Sequence, residues 1–251
     1  SDLSFADLIL WVPLRKDMKS WPTGYVAIAH IRPMTAATVF AHDVLGEEIS
    51  WGQRPHIDQA LSSAEIIRDT VPEKVGDLMI KEETTPVLYQ GEVIAVISRH
   101  RDSELMRQPS RLELNYRELA HQLYRMAAEG NFPYEDANSY FDPAPRVGDG
   151  LLRIDLNGVI TYASPNARSA FGRLGWNSAL EGQTLAEVAD QISAPQNVAH
   201  EEALRVQLSG KAIRRVEMEN SGGTIELLVL PLIHGADRIG AVRSEEHTSE
   251  L

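Results

Sequence analysis

The chain has 251 residues, 43% hydrophobic and 24% charged, which is enough for two domains of ordinary size, each with its own core. Its formal net charge of −12 is spread along the chain without an acidic tail, and so acidic a surface repels phosphate backbones and anionic lipid heads, which argues against direct nucleic-acid or membrane-surface binding. No apolar run nears the roughly 20 residues of a bilayer span, and no cysteine is present, so disulfides, thiolate nucleophiles, iron–sulfur clusters, cysteine-ligated zinc and cysteine-trapped flavins are excluded and a cytoplasmic protein is the default.

The chain starts at Ser1 directly on "LSFADLILWV", which already has the apolar density of a core element, so we expect its natural beginning to lie upstream. Strands are expected at "ADLILWVPL", "YVAIAHIRP" and "ATVFAHDVLG", followed by a hairpin "TTPVLYQGEVIAVISRH" that turns at Gln90-Gly91. In the polar stretch between them, "SSAEIIRD" is expected to form one short helix, which makes this half an α+β pattern on an antiparallel sheet. His30, His42, His56 and His100 lack the spacing that places two imidazoles on one metal, and Glu82-Glu83 and Glu47-Glu48 read as solvated faces or turns.

From Ser110 the sequence "SRLELNYRELAHQLYRMAAEGNFP" has a Ser110–Glu113 capping box and a seam of Leu112, Tyr116, Leu119, Leu123 and Met126 at intervals of 4, 3, 4 and 3. Gly130 and Pro133 mark its stop. Two readings stay open: an amphipathic helix packed on its own domain, or a dimer and signalling helix joining two modules. "NFPYEDANSYFDPAPRVGDG" then reads as a linker, with the domain boundary near Pro145.

Beyond it, "GLLRIDLNGVITYASPNA" places Leu152, Ile154 and Leu156 on one strand face, with Asn157-Gly158 as a two-residue hairpin turn before "VITYA". Ser164 supplies an N-cap oxygen, Pro165 occupies the first helical position, and Gly172 or Gly175 ends that helix. Thr184–Glu187 is another capping box, as is Ser193–Gln196 before "QNVAHEEALRVQLSG", a helix closed by Gly210. Three strands follow in "IRRVEMENSGGTIELLVLPLIHGADRIGAV", turning at Ser221-Gly222-Gly223 and Gly235-Ala236-Asp237. The last nine residues, "RSEEHTSEL", share no periodicity with that strand and are what a common sequencing-adapter string encodes, so residues 243–251 are expected to be a non-native tail and His247 carries no function.

Catalytic signatures are absent. There is no G-x-x-x-x-G-K-[ST] loop and no G-x-S-x-G elbow, and "VGDG" lacks the strand–turn–helix context of a dinucleotide site. Ser164 lies on a strand-to-helix turn, as a hydrolase nucleophile does, but Pro165 and Asn166 follow it and capping explains it. No catalytic residue and no metal site is expected. His200 is the single histidine placed to ligate a haem, and we expect none.

The "D-x-x-G-x-I-x-Y-x-S-x-N-A" pattern carried by Asp155, Gly158, Ile160, Tyr162, Ser164, Asn166 and Ala167 resembles a PAS domain over residues 146–242. With "LSFADLILWV", "YRELAHQLYRMAAEGNFP" and "PRVGDGLLRIDLNGVITYASPNARSAFGRLG", nearly all of residues 1–242 resembles the sensory region of a family of cytosolic actinobacterial sensor histidine kinases, in which a GAF-like domain precedes a PAS domain. The resemblance implies two antiparallel-sheet sensory domains joined by a helix: GAF-like over 1–108, connecting helix and linker over 109–145, PAS over 146–242. It also implies a homodimer, ATP and Mg in a kinase region outside this chain, autophosphorylation there on histidine, and transfer to a response regulator. The phosphoacceptor and ATP-binding boxes are absent here. Sheets of both kinds curve around cavities, and the candidate inward residues of the second domain are Ile154, Ile160, Tyr162, Phe171, Leu174, Leu204 and Leu228, with Trp176 near the mouth. In the GAF-like half no arrangement of Arg and Asp argues for a nucleotide. The rival readings are the sensory module of another output enzyme, such as a phosphatase or cyclic-dinucleotide synthase, and a stand-alone ligand-binding protein.

Overall fold

The computed structural model describes residues 1–17, 19–68, 70–103, 108–132, 149–192, 214–220 and 223–246, which fall into two compact units, Ser1–Phe132 and Pro133–Leu251. Both are α+β, each built on one antiparallel sheet.

In the first unit the strands are β1 (Asp7–Leu14), β2 (Gly24–Ile31), β3 (Glu48–Ser50), β4 (Glu73–Val75), β5 (Leu78–Tyr89) and β6 (Glu92–Asp102), in the order β3-β2-β1-β6-β5-β4. Alternation along β1 turns Ile9 and Trp11 into a core completed by Tyr25, Ala27, Val96 and the apolar face of α1 (Pro55–Ser63). Gln90 and Gly91 both take left-handed backbone, φ 51° and 82°, which is the twist that a tight β5–β6 hairpin requires. The second helix, α2 (Arg111–Ala128), has the expected capping box, with Ser110 Oγ accepting from Glu113 N and the Glu113 carboxylate accepting from Ser110 N.

Two expected elements differ. "ATVFAHDVLG" forms no strand: residues 37–46 are a strap in which Thr38 Oγ1 and Val39 N donate to a buried carboxylate, Asp7, instead of to a ladder. "SSAEIIRD" is not the helix either. That helix is α1, which runs from Pro55 and stops at Ala64 in left-handed backbone, because Ile67 N and O then pair with Thr84 as a bridge on β5. Arg54 provides no side-chain cap, so this helix lacks the polar start signal that marks the others.

In the second unit β7 (Gly150–Ile154), β8 (Ile160–Ala163), β9 (Arg214–Asn220), β10 (Gly223–His234) and β11 (Asp237–Glu246) lie in the order β8-β7-β11-β10-β9, with α3 (Pro165–Arg173) and α4 (Leu185–Ile192) between β8 and β9 in sequence. The core joins Leu152, Ile154, Ile160, Phe171, Leu185, Val188, Ile225, Leu227 and Val229. The β7–β8 connection is longer than a two-residue turn: Asp155 Oδ1 accepts from both Asn157 N and Val159 N, and Gly158 alone takes positive φ, 79°. Leu156 is consequently an exposed loop residue and does not share the face of Leu152 and Ile154. Thr184 and Glu187 form the expected box at the start of α4. β11 continues through Glu246, so residues 243–246 of the tail take part in its ladder with β10 and β7. Ladder bonds use the backbone and are indifferent to side-chain pattern. The helix expected over "QNVAHEEALRVQLSG", with Ser193–Gln196, His200, Leu204 and Gly210, lies outside the described residues. So do most of the linker, the Ser221-Gly222 turn and His247.

Ser164 has a structural duty. Its buried Oγ accepts from Ala167 N at 3.3 Å, capping α3, and from Leu151 N at 2.9 Å, tying that cap to β7. Ser164→Ala is expected to cost about 1–2 kcal/mol of unfolding free energy in urea denaturation, with the m-value unchanged. A stability equal to the parent's would contradict this role.

Candidate functional site

The strap, β5, β6 and α1 together enclose a cleft of about 530 Å³ in the first unit, a size typical of ligand sites. One wall is Val39, Phe40 and Ala41 of the strap. The opposite wall is Val71, Val75, Leu78 and Ile80 around the β4–β5 hairpin, and Arg54, His56, Glu82 and His100 supply its polar groups.

The strap is pinned at two points. Asp7, with no solvent exposure, accepts from Thr38 Oγ1 at 2.7 Å and Val39 N at 2.8 Å. Its Oδ1 also lies 3.5 Å from Nε2 of His30, whose Nδ1 lies 3.0 Å from Asp43 Oδ1. Between these points the Phe40 ring meets His30 and His100 edge to face, each at 5.0 Å between centroids.

His100 and Glu82 are register partners across β5 and β6. Burial, then the positive charge of Arg54, pushes the His100 pKa down to about 3, so its ring is neutral at physiological pH. The Trp11 indole donates to Ser98 Oγ at 2.8 Å, and Ser98 Oγ lies 2.8 Å from His100 Nε2. The arrangement that satisfies all three groups has the Ser98 hydroxyl donating to an unprotonated Nε2. Glu82 therefore faces an acceptor at 3.8 Å, not a donor. Its Oε2 lies 3.4 Å from His56 Nδ1 and 3.8 Å from Arg54 Nη1, whereas its buried Oε1 has no hydrogen-bond partner. Glu83, next along β5, points to the other face and pairs with Arg99. Neither glutamate is a solvated face, because both side chains are 14% exposed. Of His30, His42, His56 and His100, only His42 is exposed.

The candidate inward residues of the second unit fall on both faces of its sheet. Ile154, Ile160 and Phe171 are packed core at 0–1% exposure, with Leu174 beside them and Trp176 half-buried against the same cluster. Tyr162 pairs with Arg153, while Ile160 and Ala163 enter the core on either side of a bulge at Thr161, so Tyr162 belongs to the opposite face. Leu228 lies between Leu227 and Val229, which take the core side, and it too is on the opposite face. On α2, Tyr116, Leu119 and Met126 are buried within the first unit, where the helix lies against β5 and the 3-10 turn Asp2–Ser4; Leu112 and Leu123 are half-buried. Among the described residues no group of three or more His, Asp or Glu is placed to hold a metal, and no helix is long and apolar enough to cross a membrane.

A cavity under a pinned strap, in a unit followed by a second sheet unit, is an arrangement suited to a sensory module. The comparisons agree. Residues 1–120 match the family model for the GAF domain of the histidine kinase PdtaS. The chain is 36% identical over 246 residues to the sensor histidine kinase PdtaS of Mycolicibacterium smegmatis and 34% identical over 255 residues to that of Mycobacterium tuberculosis, in each case over 96% of this chain and 48% of the relative. A solved sensor region of a sensor histidine kinase superposes with a TM-score of 0.79 at 30% identity, over 98% of this chain and 85% of that one. The chain belongs to the PdtaS family of sensor histidine kinases, as sensory input region; it spans about half the length of the curated relatives it matches.

Proposed function

We propose that this region reports a chemical signal to a kinase core encoded in the same protein, which binds ATP and Mg, autophosphorylates on histidine and hands the phosphate to a response regulator. The protein works as a cytoplasmic homodimer. In this reading residues 1–108 are the GAF-like input, 109–145 the connecting helix and linker, and 146–242 a PAS domain, whose implied order of two strands, helices and three strands agrees with the second unit. The carrying observation is that likeness to the sensor kinases runs through both units and the segment between them, and not through one reusable domain.

A ligand shifts such a relay only by its differential affinity for two packings, typically ~1–3 kcal/mol. The first unit's cavity is the candidate input site, and α2, which is continuous with that unit, is the candidate output element. The test uses the natural reading frame containing this region. With labelled ATP and Mg it is expected to gain an acid-labile phosphate, and Leu112→Asp with Leu123→Asp, placed on the half-buried positions of the seam, is expected to change that rate several-fold and to lower the mass by light scattering. No label, or an unchanged rate and mass in the double variant, would refute the reading.

A further inference from the structure

We infer that the cavity of the first unit recognises a small organic cation: an amine, amidine or guanidine group carried on a flat apolar body. This deepens the sensory reading and rests on it, by giving the input site a ligand class.

The walls set the body of the ligand. Phe40 and Val39 on the strap and Leu78 and Ile80 on β5 are apolar, and the rim carries Val71 and Val75, which are 81% and 55% exposed. Valines so exposed at the mouth of a cleft are an apolar surface that a ligand would cover. Phe40, fixed edge-on to His30 and His100, adds an aromatic ring to that wall, and ring faces attract cations.

The charges set its head group. The cavity carries three carboxylates, Glu73, Asp77 and Glu82, against one guanidinium, Arg54, an excess of two acidic side chains over basic ones beside the neutral His100. A polyanion placed here would sit against like charge, so phosphates and carboxylates are disfavoured and a cation is drawn in. Glu82 then gives the specific contact. One of its oxygens is shared with His56 and Arg54, and the other has no donor at all. A carboxylate oxygen buried without a donor is costly, and the cost falls away when an N–H group arrives. The terminal torsion of a glutamate is soft, so a small rotation turns that oxygen into the cavity without moving β5. An amidine or guanidine then meets the carboxylate with paired N–H donors, the strong bidentate geometry. Its register partner His100, whose Nε2 is occupied by the Ser98 hydroxyl, does not compete with the ligand as a donor.

The experiment titrates this chain with benzamidine, a flat aromatic amidine, and with benzoate, its anionic counterpart of the same shape, followed by amide chemical shifts. Benzamidine is expected to bind saturably with shifts centred on Phe40, Val71, Ile80 and Glu82, and benzoate is not. Glu82→Gln, which keeps the shape and loses the charge, is expected to weaken benzamidine at least about tenfold, the scale of one charge-assisted hydrogen bond. Glu73→Lys with Asp77→Lys changes only exposed rim residues, and is expected to weaken binding a few-fold, by a factor that shrinks with added salt. Benzoate binding as tightly as benzamidine, equal benzamidine affinity in a folded Glu82→Gln chain, or no saturable benzamidine binding each overturns the proposal. Kinase output is not read in this titration. A relay that ignores this region would sink the sensory reading while leaving the benzamidine result intact, and a failed titration beside an intact relay sinks only the ligand class.

Discussion

Asp7→Ala is expected to free the strap from the sheet and to lower the unfolding free energy by about 3–5 kcal/mol, the range found when one partner of a buried charged cluster is removed. Asp7 has no exposed surface, yet it holds the Thr38 hydroxyl, the Val39 amide and one side of the His30 ring. Alanine leaves the Thr38 hydroxyl and the Val39 amide without that acceptor inside the protein, and moving residues 37–46 out to water relieves them. Asp7→Asn keeps the shape and one carbonyl oxygen, so its cost is expected to be about 1–2 kcal/mol. Two measurements check this together. Urea denaturation gives the two losses, and amide hydrogen exchange at Val39 and Val44 shows whether the strap opens below the global transition. A strap that stays protected in Asp7→Ala would show that Phe40, wedged between His30 and His100, holds it without the carboxylate.

How far the sequence could be read follows from the range of the interactions. Elements fixed by neighbours in the chain were legible: the capping boxes of Ser110–Glu113 and Thr184–Glu187, the Gln90-Gly91 turn, the Ser164-Pro165 helix start and the alternation of β1 all rest on contacts a few residues apart. The strap was not, because "ATVFAHDVLG" has the composition of a strand and is kept out of the sheet by Asp7, some thirty residues earlier. The cavity was illegible for the same reason. His30, His56, Glu82 and His100 share no spacing in the chain, and meet only because β2 and β5 lie on either side of β1 and β6 and α1 packs over them. The one usable signal was "EE" on a strand: with a period of two, Glu82 and Glu83 cannot share a face, so at least one had to find an inward partner. In the second unit the pattern found the core but not its sides, since the bulge at Thr161 reverses the alternation that would have placed Tyr162 beside Ile160.

The seam of α2 is packed on its own unit and keeps a partly exposed side. Tyr116, Leu119 and Met126 are spent inside the first unit, near the 3-10 turn, where Phe5 packs on Tyr116 with ring centroids 6.3 Å apart. Leu112 and Leu123, eleven residues apart on one face, are partly exposed, which leaves an apolar edge along a helix anchored to the sheet, and Leu114, 54% exposed, lies on the opposite face. A helix rigidly packed on the sheet that carries Glu82 is suited to pass on a change in the cavity, because β5 is at once a cavity wall and the strand against which α2 rests.

The stability of the first unit is expected to fall steeply on mild acidification, and His100 is the reason. Its pKa is held at about 3 in the folded chain against an ordinary value of 6.5, because burial and then the charges of Arg54 and His30 disfavour the imidazolium. The folded pKa lies below the unfolded one, so between them the unfolded chain binds a proton that the native state refuses, and stability rises with pH there. The contribution is complete above about pH 7 and is lost as the pH drops through the unfolded pKa towards the folded one, at about 1.4 kcal/mol per pH unit where the difference is one proton. Most carboxylates titrate below about pH 4.5, so the interval from about pH 6 to pH 5 isolates the histidine effect from theirs. His100→Gln keeps an acceptor for the Ser98 hydroxyl and cannot be protonated, so this variant should lose far less stability across the same interval. Urea denaturation of both proteins at pH 7.5, 6 and 5 decides it. Parallel declines would mean that the native ring takes up its proton after all, with Glu82, 3.8 Å away, as the nearest carboxylate able to support it.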